Sequence, residues 1–270
     1  MYDHTAQRLF VDAPLAAGQS VAIEQGQANY LLNVLRLGPD SAIHVFNGRD
    51  GEWLARIAER KKKSCTLAIE TLLRPQENGP DIDYLFAPIK HARLDYMVQK
   101  ATELGVARLR PIITRRTIAE RVNLDRMRAN AIEAAEQCGI LRIPEVLEPV
   151  KLDKALAAWD PSHTLVFCDE AATVANPIEA LREGGRPYGS DPGIQSTATQ
   201  MGSDPQGQTP GVVRLAVLIG PEGGFDPAER ELLMRQPYTL AISLGPRIMR
   251  ADTAAVAALA IVNAAVGDWR

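Results

Sequence analysis

The chain has 270 residues, a formal net charge of −3, 46% apolar residues and three cysteines. That length supports one large or two modest domains with a real core, the charge excludes a uniformly basic nucleic-acid coat, and an odd, scattered set of cysteines (Cys65, Cys138, Cys168) excludes a disulfide framework. The first residues carry no apolar leader and no apolar run reaches membrane-spanning length, so the expected location is the cytoplasm, with no membrane partner.

Residues 1–73 read as a small β-rich domain, with short strands expected at Val21–Ile23, Ala42–Phe46, Glu52–Ile57 and Thr66–Leu72. Asn47-Gly48 and Asp50-Gly51 mark a hairpin between the second and third of these. Residues 74–81, with Pro75, Gly79 and Pro80, read as a linker to a second domain over 82–270. There Tyr84–Ile89 is an apolar strand, and Leu94–Leu104 repeats apolar residues at helical spacing before Gly105 stops it. Leu109–Thr114 is the next strand, Arg126–Cys138 the next helix and Thr164–Cys168 a further strand. Strands alternating with helices imply a parallel sheet covered on both faces. Between Lys90 and Arg128 ten Lys/Arg face four Asp/Glu, a local excess that marks a polyanion site on an otherwise acidic chain. Cys138, without a histidine or metal-ligand spacing nearby, reads as a packing thiol, and no metal site is expected. Residues 184–211 hold seven Gly and four Pro, a composition that buries too little apolar area to offset chain entropy, and read as a mobile surface insertion.

The most informative stretch follows. Leu215–Ile219 is a buried strand ending in Gly220-Pro221-Glu222-Gly223-Gly224, and Thr239–Leu244 is another ending in Gly245-Pro246-Arg247. Paired glycine loops at the carboxyl ends of neighbouring strands let backbone amides and carbonyls approach a ligand directly. The second loop leads into Ala251–Val266, almost wholly Ala, Val, Leu and Ile, a helix that should be buried and capped by Asp252 or Thr253. Its apolar surface exceeds what one small domain covers, which points to a homodimer.

The motifs L-I-G-P-E-G-G-F-x-x-x-E and L-G-P-R-I-M-R-x-x-T-A resemble the signature loops of the SPOUT class of S-adenosylmethionine-dependent RNA methyltransferases. They are most similar to the family that methylates N3 of a uridine in 16S ribosomal RNA. The resemblance runs over nearly the whole chain. It implies an α/β fold with a trefoil-knotted parallel sheet, helices on both faces, a small N-terminal PUA-like β-barrel that helps to hold RNA, and pairing of protomers near the knot. It implies S-adenosylmethionine as cofactor, held by Leu218, Ile219, Gly220, Pro221, Glu222, Gly223, Gly224, Leu244, Gly245, Ile248, Met249, Arg250 and Thr253. A side chain at Gly220 or Gly245 would then intrude on a pocket lined by backbone.

Arg8 and Arg36 occupy matched positions in the first domain, Lys90 and Lys100 in K-H-A-R-L-D-Y-M-V-Q-K, and Gln137 and Arg142 in A-A-E-Q-C-G-I-L-R-I-P. With Arg116 from the basic stretch they form the expected RNA-binding set. The family carries Arg-Asn where this chain has Ile140-Leu141, a His where it has Asn29, and Thr-Glu-Thr where it has Ala251-Asp252-Thr253. Methyl transfer to uridine N3 requires loss of a proton from that nitrogen or stabilisation of its anion. Arg250 and Glu222 are the candidate catalytic side chains, and with no histidine in either loop the base is left unassigned. Whether the substrate is free RNA or an assembled small subunit is also left open. Two other readings stand beside this one: an RNA-binding module with a degenerate pocket, and a nucleotide-binding α/β enzyme using G-P-E-G-G as an anion loop, although neither phosphate-binding glycine motif is present.

Overall fold

The computed structural model describes residues 6–61, 64–119, 121–173, 176–183 and 214–269. Contacts divide the chain into one unit of Met1–Asn78 with Ala131–Ile143 and another of Gly79–Asn130 with Pro144–Arg270. The expected insertion at 184–211 lies outside the described residues.

The first unit holds strands β1 (Arg8–Phe10), β2 (Ser20–Ala22), β3 (Ala42–Phe46), β4 (Glu52–Arg60) and β5 (Cys65–Arg74) in one sheet of order β1-β3-β4-β5-β2. β1 runs parallel to β3 and the other pairs are antiparallel. Alternation along β5 places Cys65, Leu67 and Ile69 inward, where they meet Ile43, Val45 and Ile57. Helix α1 (Gln25–Asn29) continues as a π-helical turn, Tyr30–Val34, and adds Ala28, Leu31 and Leu32 to that core. Neither this helical run nor β1 was anticipated. β1 is only three residues long and opens on an arginine, and that arginine is 7% exposed.

The second unit is built on strands β6 (Ile82–Phe86), β7 (Arg108–Ile113), β8 (Glu145–Val146), β9 (Val150–Lys151), β10 (Thr164–Cys168), β11 (Leu215–Ile219) and β12 (Thr239–Ile242). Their order is β12-β10-β11-β6-β7-β8, with β9 also on β7, and every pairing is parallel. The helices are α2 (His91–Glu103), α3 (Leu124–Cys138), α4 (Leu152–Ala157), α5 (Pro177–Arg182), α6 (Pro227–Met234) and α7 (Ala251–Ala265). Fully buried strands must be covered on both sides. Leu85, Phe167 and Leu218 point to the face that packs α4 and α6 through Leu152, Leu156 and Leu233. On the opposite face the Tyr84 hydroxyl donates to the Met97 sulfur of α2, and α7 lies against α2, α5 and β11. Helix α6 starts where its sequence says it should: Asp226 caps it, Glu229 completes the capping box and Pro227 occupies the first turn. Helix α7 buries Ala251, Ala255, Ala258, Leu259, Val262, Asn263 and Ala265, whereas Val256, Ala257, Ala260, Ile261 and Ala264 are only half-buried. In the single chain it is therefore buried along one face rather than all round.

The C-terminal turns of α3 belong to the first unit, and an ion network explains how they are held. Arg8 Nε and Arg74 Nε donate to the fully buried Glu52 carboxylate at 2.6 and 2.8 Å. The Arg8 guanidinium also donates to the carbonyls of Ala135, Glu136 (2.9 Å) and Ile140 (3.1 Å), and Arg74 to that of Gly139 (2.8 Å). These carbonyls lie in the last turn of the helix or just past it, where cations are favoured, and that of Ala135 also accepts from the Ile140 N–H at 3.2 Å. Expected to bind RNA, Arg8 instead has its guanidinium enclosed by this network. Cys138 corrects a second expectation, because it is exposed rather than packed.

Candidate functional site

Strands β12, β10 and β11 are neighbours, so the loops that leave their carboxyl ends lie side by side. With the first turns of α7 those loops enclose a cavity of about 430 Å³, within the range of small-molecule sites. Gly220–Phe225 follows β11, Leu244–Met249 follows β12, and Asp169–Ala171 follows the strand between them. This third loop, with Cys168, was not foreseen. Its signal was an acidic pair, Asp169-Glu170, directly after an apolar strand.

Ten of the thirteen expected cofactor residues line this cavity: Ile219, Gly220, Pro221, Glu222, Gly223, Gly224, Leu244, Gly245, Ile248 and Met249. Three do not. Leu218 is fully buried in β11 between Phe167 and Leu85, so its side chain serves the core. Arg250 and Thr253 are exposed, and Ala251 and Ala254 face the cavity in their place. The cap expectation is corrected as well. The capping position is Arg250, extended at φ −66° and ψ 154° with no side-chain cap bond, because Asp252 sits inside the first turn and is engaged elsewhere.

That engagement is with Arg93 of α2, whose guanidinium donates to both Asp252 oxygens at 3.0 Å and also to the Glu222 carboxylate. One arginine thus ties the first glycine loop to the start of α7. Its hydrogen bonds hold the Asp252 carboxyl below its ordinary range and push the guanidinium further up. On the opposite wall Arg230 pairs with the buried Asp169 at 2.7 Å. Cys168 shows part of its surface to the cavity, yet its thiol lies deep enough that burial pushes it up to about 12. Two glycines have separate reasons to be glycine. A β-carbon on Gly220 would stand 2.4 Å from a ring carbon of Phe225, so the obstacle there is the protein's own aromatic ring rather than open pocket. Gly245 has φ +105°, which side-chain-bearing residues rarely adopt, with open space around it.

The basic stretch is largely spent on ion pairs. Arg93, Lys100, Arg108, Arg110, Arg115, Arg126 and Arg128 all have carboxylate partners, Lys100 with Glu103 at 2.7 Å. Among the described residues this leaves Lys90, Arg116 and Arg121 without an ion pair. Lys90 is exposed just before α2, and Arg116 lines the cavity, donating to the Gly223 carbonyl at 2.8 Å. Of the other expected RNA-binding residues, Arg36 is exposed at φ +55° after the π-helical turn, Gln137 is exposed on α3 and Arg142 is half-buried, all in the first unit. No cluster of metal-ligating side chains occurs among the described residues.

A parallel α/β unit that delivers three strand-end loops to one backbone-lined cavity, joined to a small β unit, is the architecture of a small-molecule-dependent enzyme with an accessory domain. The model of the RNA methyltransferase domain matches residues 76–263 and that of the RNA methyltransferase PUA domain matches 23–70. The chain belongs to the RNA methyltransferase family. Ribosomal RNA small subunit methyltransferase E of Rickettsia conorii is 28% identical over 261 residues, 95% of this chain and 94% of the relative. The enzyme of the same name from Bacillus subtilis is 25% identical over 271 residues, covering 95% and 96%. Among solved structures, a Legionella pneumophila protein described as a methyltransferase in complex with bound SAM superposes with a TM-score of 0.76 at 28% identity, over 97% of this chain and 99% of that one.

Proposed function

We propose that this chain transfers a methyl group from S-adenosylmethionine to N3 of a uridine in 16S ribosomal RNA. The observation that carries the reading is the three-loop cavity, placed within the residues that the RNA methyltransferase model matches. The residues fit the cofactor. Gly223 and Gly245 offer main chain where a side chain would otherwise stand, Leu244, Ile248 and Met249 offer apolar surface, and Glu170 offers a carboxylate toward a cationic ligand. When bound there, S-adenosylmethionine supplies an activated methyl group whose leaving atom departs as a neutral thioether.

The protein's part is to hold the acceptor base against this cavity and to stabilise charge on it. Glu222, expected as a catalytic carboxylate, already accepts a hydrogen bond from Arg93, which directs the carboxylate at a guanidinium. Arg250 is exposed just before α7 and is absent from the cavity lining, which supports a role toward RNA. The trefoil passage of the chain, the homodimer and the cytoplasmic location belong to the same proposal. The half-buried apolar side of α7 supports the dimer, and no helix among the described residues is long and apolar enough to cross a membrane.

Calorimetric titration with S-adenosylmethionine and with ATP, followed by methylation of small-subunit RNA and digestion to nucleosides, tests the reading. Binding of the first ligand alone and appearance of 3-methyluridine are expected. ATP binding without S-adenosylmethionine binding, or RNA binding with neither, would return the function to a nucleotide enzyme or to a non-catalytic RNA module.

A further inference from the structure

The loop after β11 has a second side. Its neighbour across the sheet from β10 is β6, and beyond β6 lies β7, so the loops leaving β6 and β7 stand next to it in turn. Between these three loops runs a shallow cleft lined by Pro88 to Lys90, Ile118, Ala119 and the same Pro221 and Glu222 that wall the cofactor cavity. Arg116, from the loop after β7, lines both hollows. The cavity and the cleft therefore share one wall, with one unpaired arginine standing at it.

We infer that the target uracil ring lies over the mouth of this cleft and that Arg116 is a catalytic residue, stabilising the uracil anion as the N3 proton is lost. The inference rests on the methyltransferase reading, since a methyl group can pass only between adjoining sites. Ile118 is 68% exposed and shares the cleft with two cations, a combination that suits a flat ring whose face lies on a hydrocarbon and whose carbonyl oxygens turn to positive charge. Arg116 spends one donor on the Gly223 carbonyl, which anchors it, and among the described residues its remaining donors have no partner. The charged groups that face it are Lys90 and Glu222 in the cleft and Asp169, Glu170, Arg230 and Arg247 in the cavity. Balance is simple: the N3–H bond breaks and its proton passes to solvent water, the N3–carbon bond forms, and the carbon–sulfur pair stays on sulfur. No protein carboxylate is needed as base, consistent with Glu222 being held by Arg93.

The test compares wild type with Arg116→Ala, Arg116→Lys and Ile118→Asp, using calorimetry with S-adenosylmethionine, filter binding of small-subunit RNA, and single-turnover methylation at saturating cofactor from pH 6 to 10. Arg116→Ala should bind cofactor and RNA within about threefold of wild type while its rate falls by roughly 10²-fold, as on loss of one anion-stabilising donor. That rate should climb about tenfold per pH unit through the alkaline range in which the wild type levels off, because the anion must then form unaided. Arg116→Lys should recover part of the rate. Ile118→Asp, a change at an exposed position that leaves folding intact, should weaken RNA binding by about tenfold or more with cofactor affinity unchanged. An Arg116→Ala enzyme that keeps its rate, or one that loses cofactor binding in step with it, overturns the assignment, and so does normal RNA binding by Ile118→Asp. A wild type that yields no 3-methyluridine overturns the methyltransferase reading itself.

Discussion

Gly220→Ala separates two explanations for a glycine at the head of the first loop. The added β-carbon would stand 2.4, 2.8 and 3.0 Å from three carbons of the Phe225 ring, so the ring must retreat by about 1 Å to reach ordinary contact. It cannot retreat inward, because its other side meets Phe167 edge-on with centroids 5.2 Å apart, within the core formed with Leu218 and Leu233. The remaining direction is into the cavity that Phe225 lines. Overpacking of this kind costs about 1–3 kcal/mol, which for a protein of this size lowers the melting temperature by roughly 2–12 °C. The displaced ring also occupies ligand space, so S-adenosylmethionine affinity should fall in the same variant. Gly223→Ala is the control on the same loop, since its β-carbon would meet only the Arg116 Cδ at 3.8 Å and should leave the melting temperature unchanged. The decisive measurement is a double-mutant cycle with Phe225→Ala, read by thermal unfolding and calorimetry. Removing the ring should abolish the cost of Gly220→Ala, a coupling of about 1–3 kcal/mol. If Gly220→Ala costs as much without the ring as with it, the steric account is wrong.

Three further outcomes are expected. Arg93→Ala should raise the Asp252 pKa toward its ordinary 3.8; because the folded-state value is depressed, the stability it contributes is full above that pH and is lost as acid protonates the folded form, so the gap in melting temperature between wild type and variant should narrow as the pH falls below 3.8. A difference that persists undiminished there would assign the stabilisation to something other than this carboxylate. Arg8→Ala removes one cation from the fully buried Glu52 and takes a donor from the Glu136 and Ile140 carbonyls, which should cost about 3–5 kcal/mol; a loss of RNA affinity with unaltered stability would instead restore Arg8 to the RNA surface. Iodoacetamide at pH 8 should modify Cys138, which is exposed, and leave Cys65 and Cys168 intact in the native protein, because burial raises both thiols and Cys168 reaches about 12. Mass spectrometry showing Cys168 alkylated as fast as Cys138 would contradict that environment.

What the sequence made legible was what local chemistry dictates. Leu215–Ile219, Thr164–Cys168 and Ala42–Phe46 coincide with the observed strands, because each is an apolar run closed by turn residues. The glycine loops stood out for the same reason, since a Gly-Pro pair after a strand has a backbone meaning that needs no partner to be read. Side-chain roles were harder to read, because a side chain's job is set by what arrives from far along the chain. Arg8 sits in a matched position, yet nothing local tells that Glu52 and the end of α3 will surround it. Ten cations in one stretch looked like a polyanion surface until seven of them met carboxylates, among them Asp252, which is 159 residues away from Arg93. Charge counted along a sequence measures what is available for pairing, and only the fold says what remains.

The same distinction bears on how this site divides its labour. Binding by main chain needs no particular side chain, so the loops after β11 and β12 can present amides and carbonyls while their neighbours are chosen for other purposes. Glu222 and Asp252 are such neighbours, and both are used to brace the two loops against α2 through Arg93. Bracing matters more for a backbone site than for a side-chain site, because a main-chain amide cannot change rotamer to follow a ligand and has only the position of its loop to aim it. An enzyme arranged in this way keeps donor recognition in the loops and leaves charge for the acceptor. Of the cations around the cavity, Arg230 is committed to Asp169, whereas Arg116 holds its place through a carbonyl and keeps its full charge. A residue held by a neutral group and left positive is the one that an anion forming across the shared wall will meet.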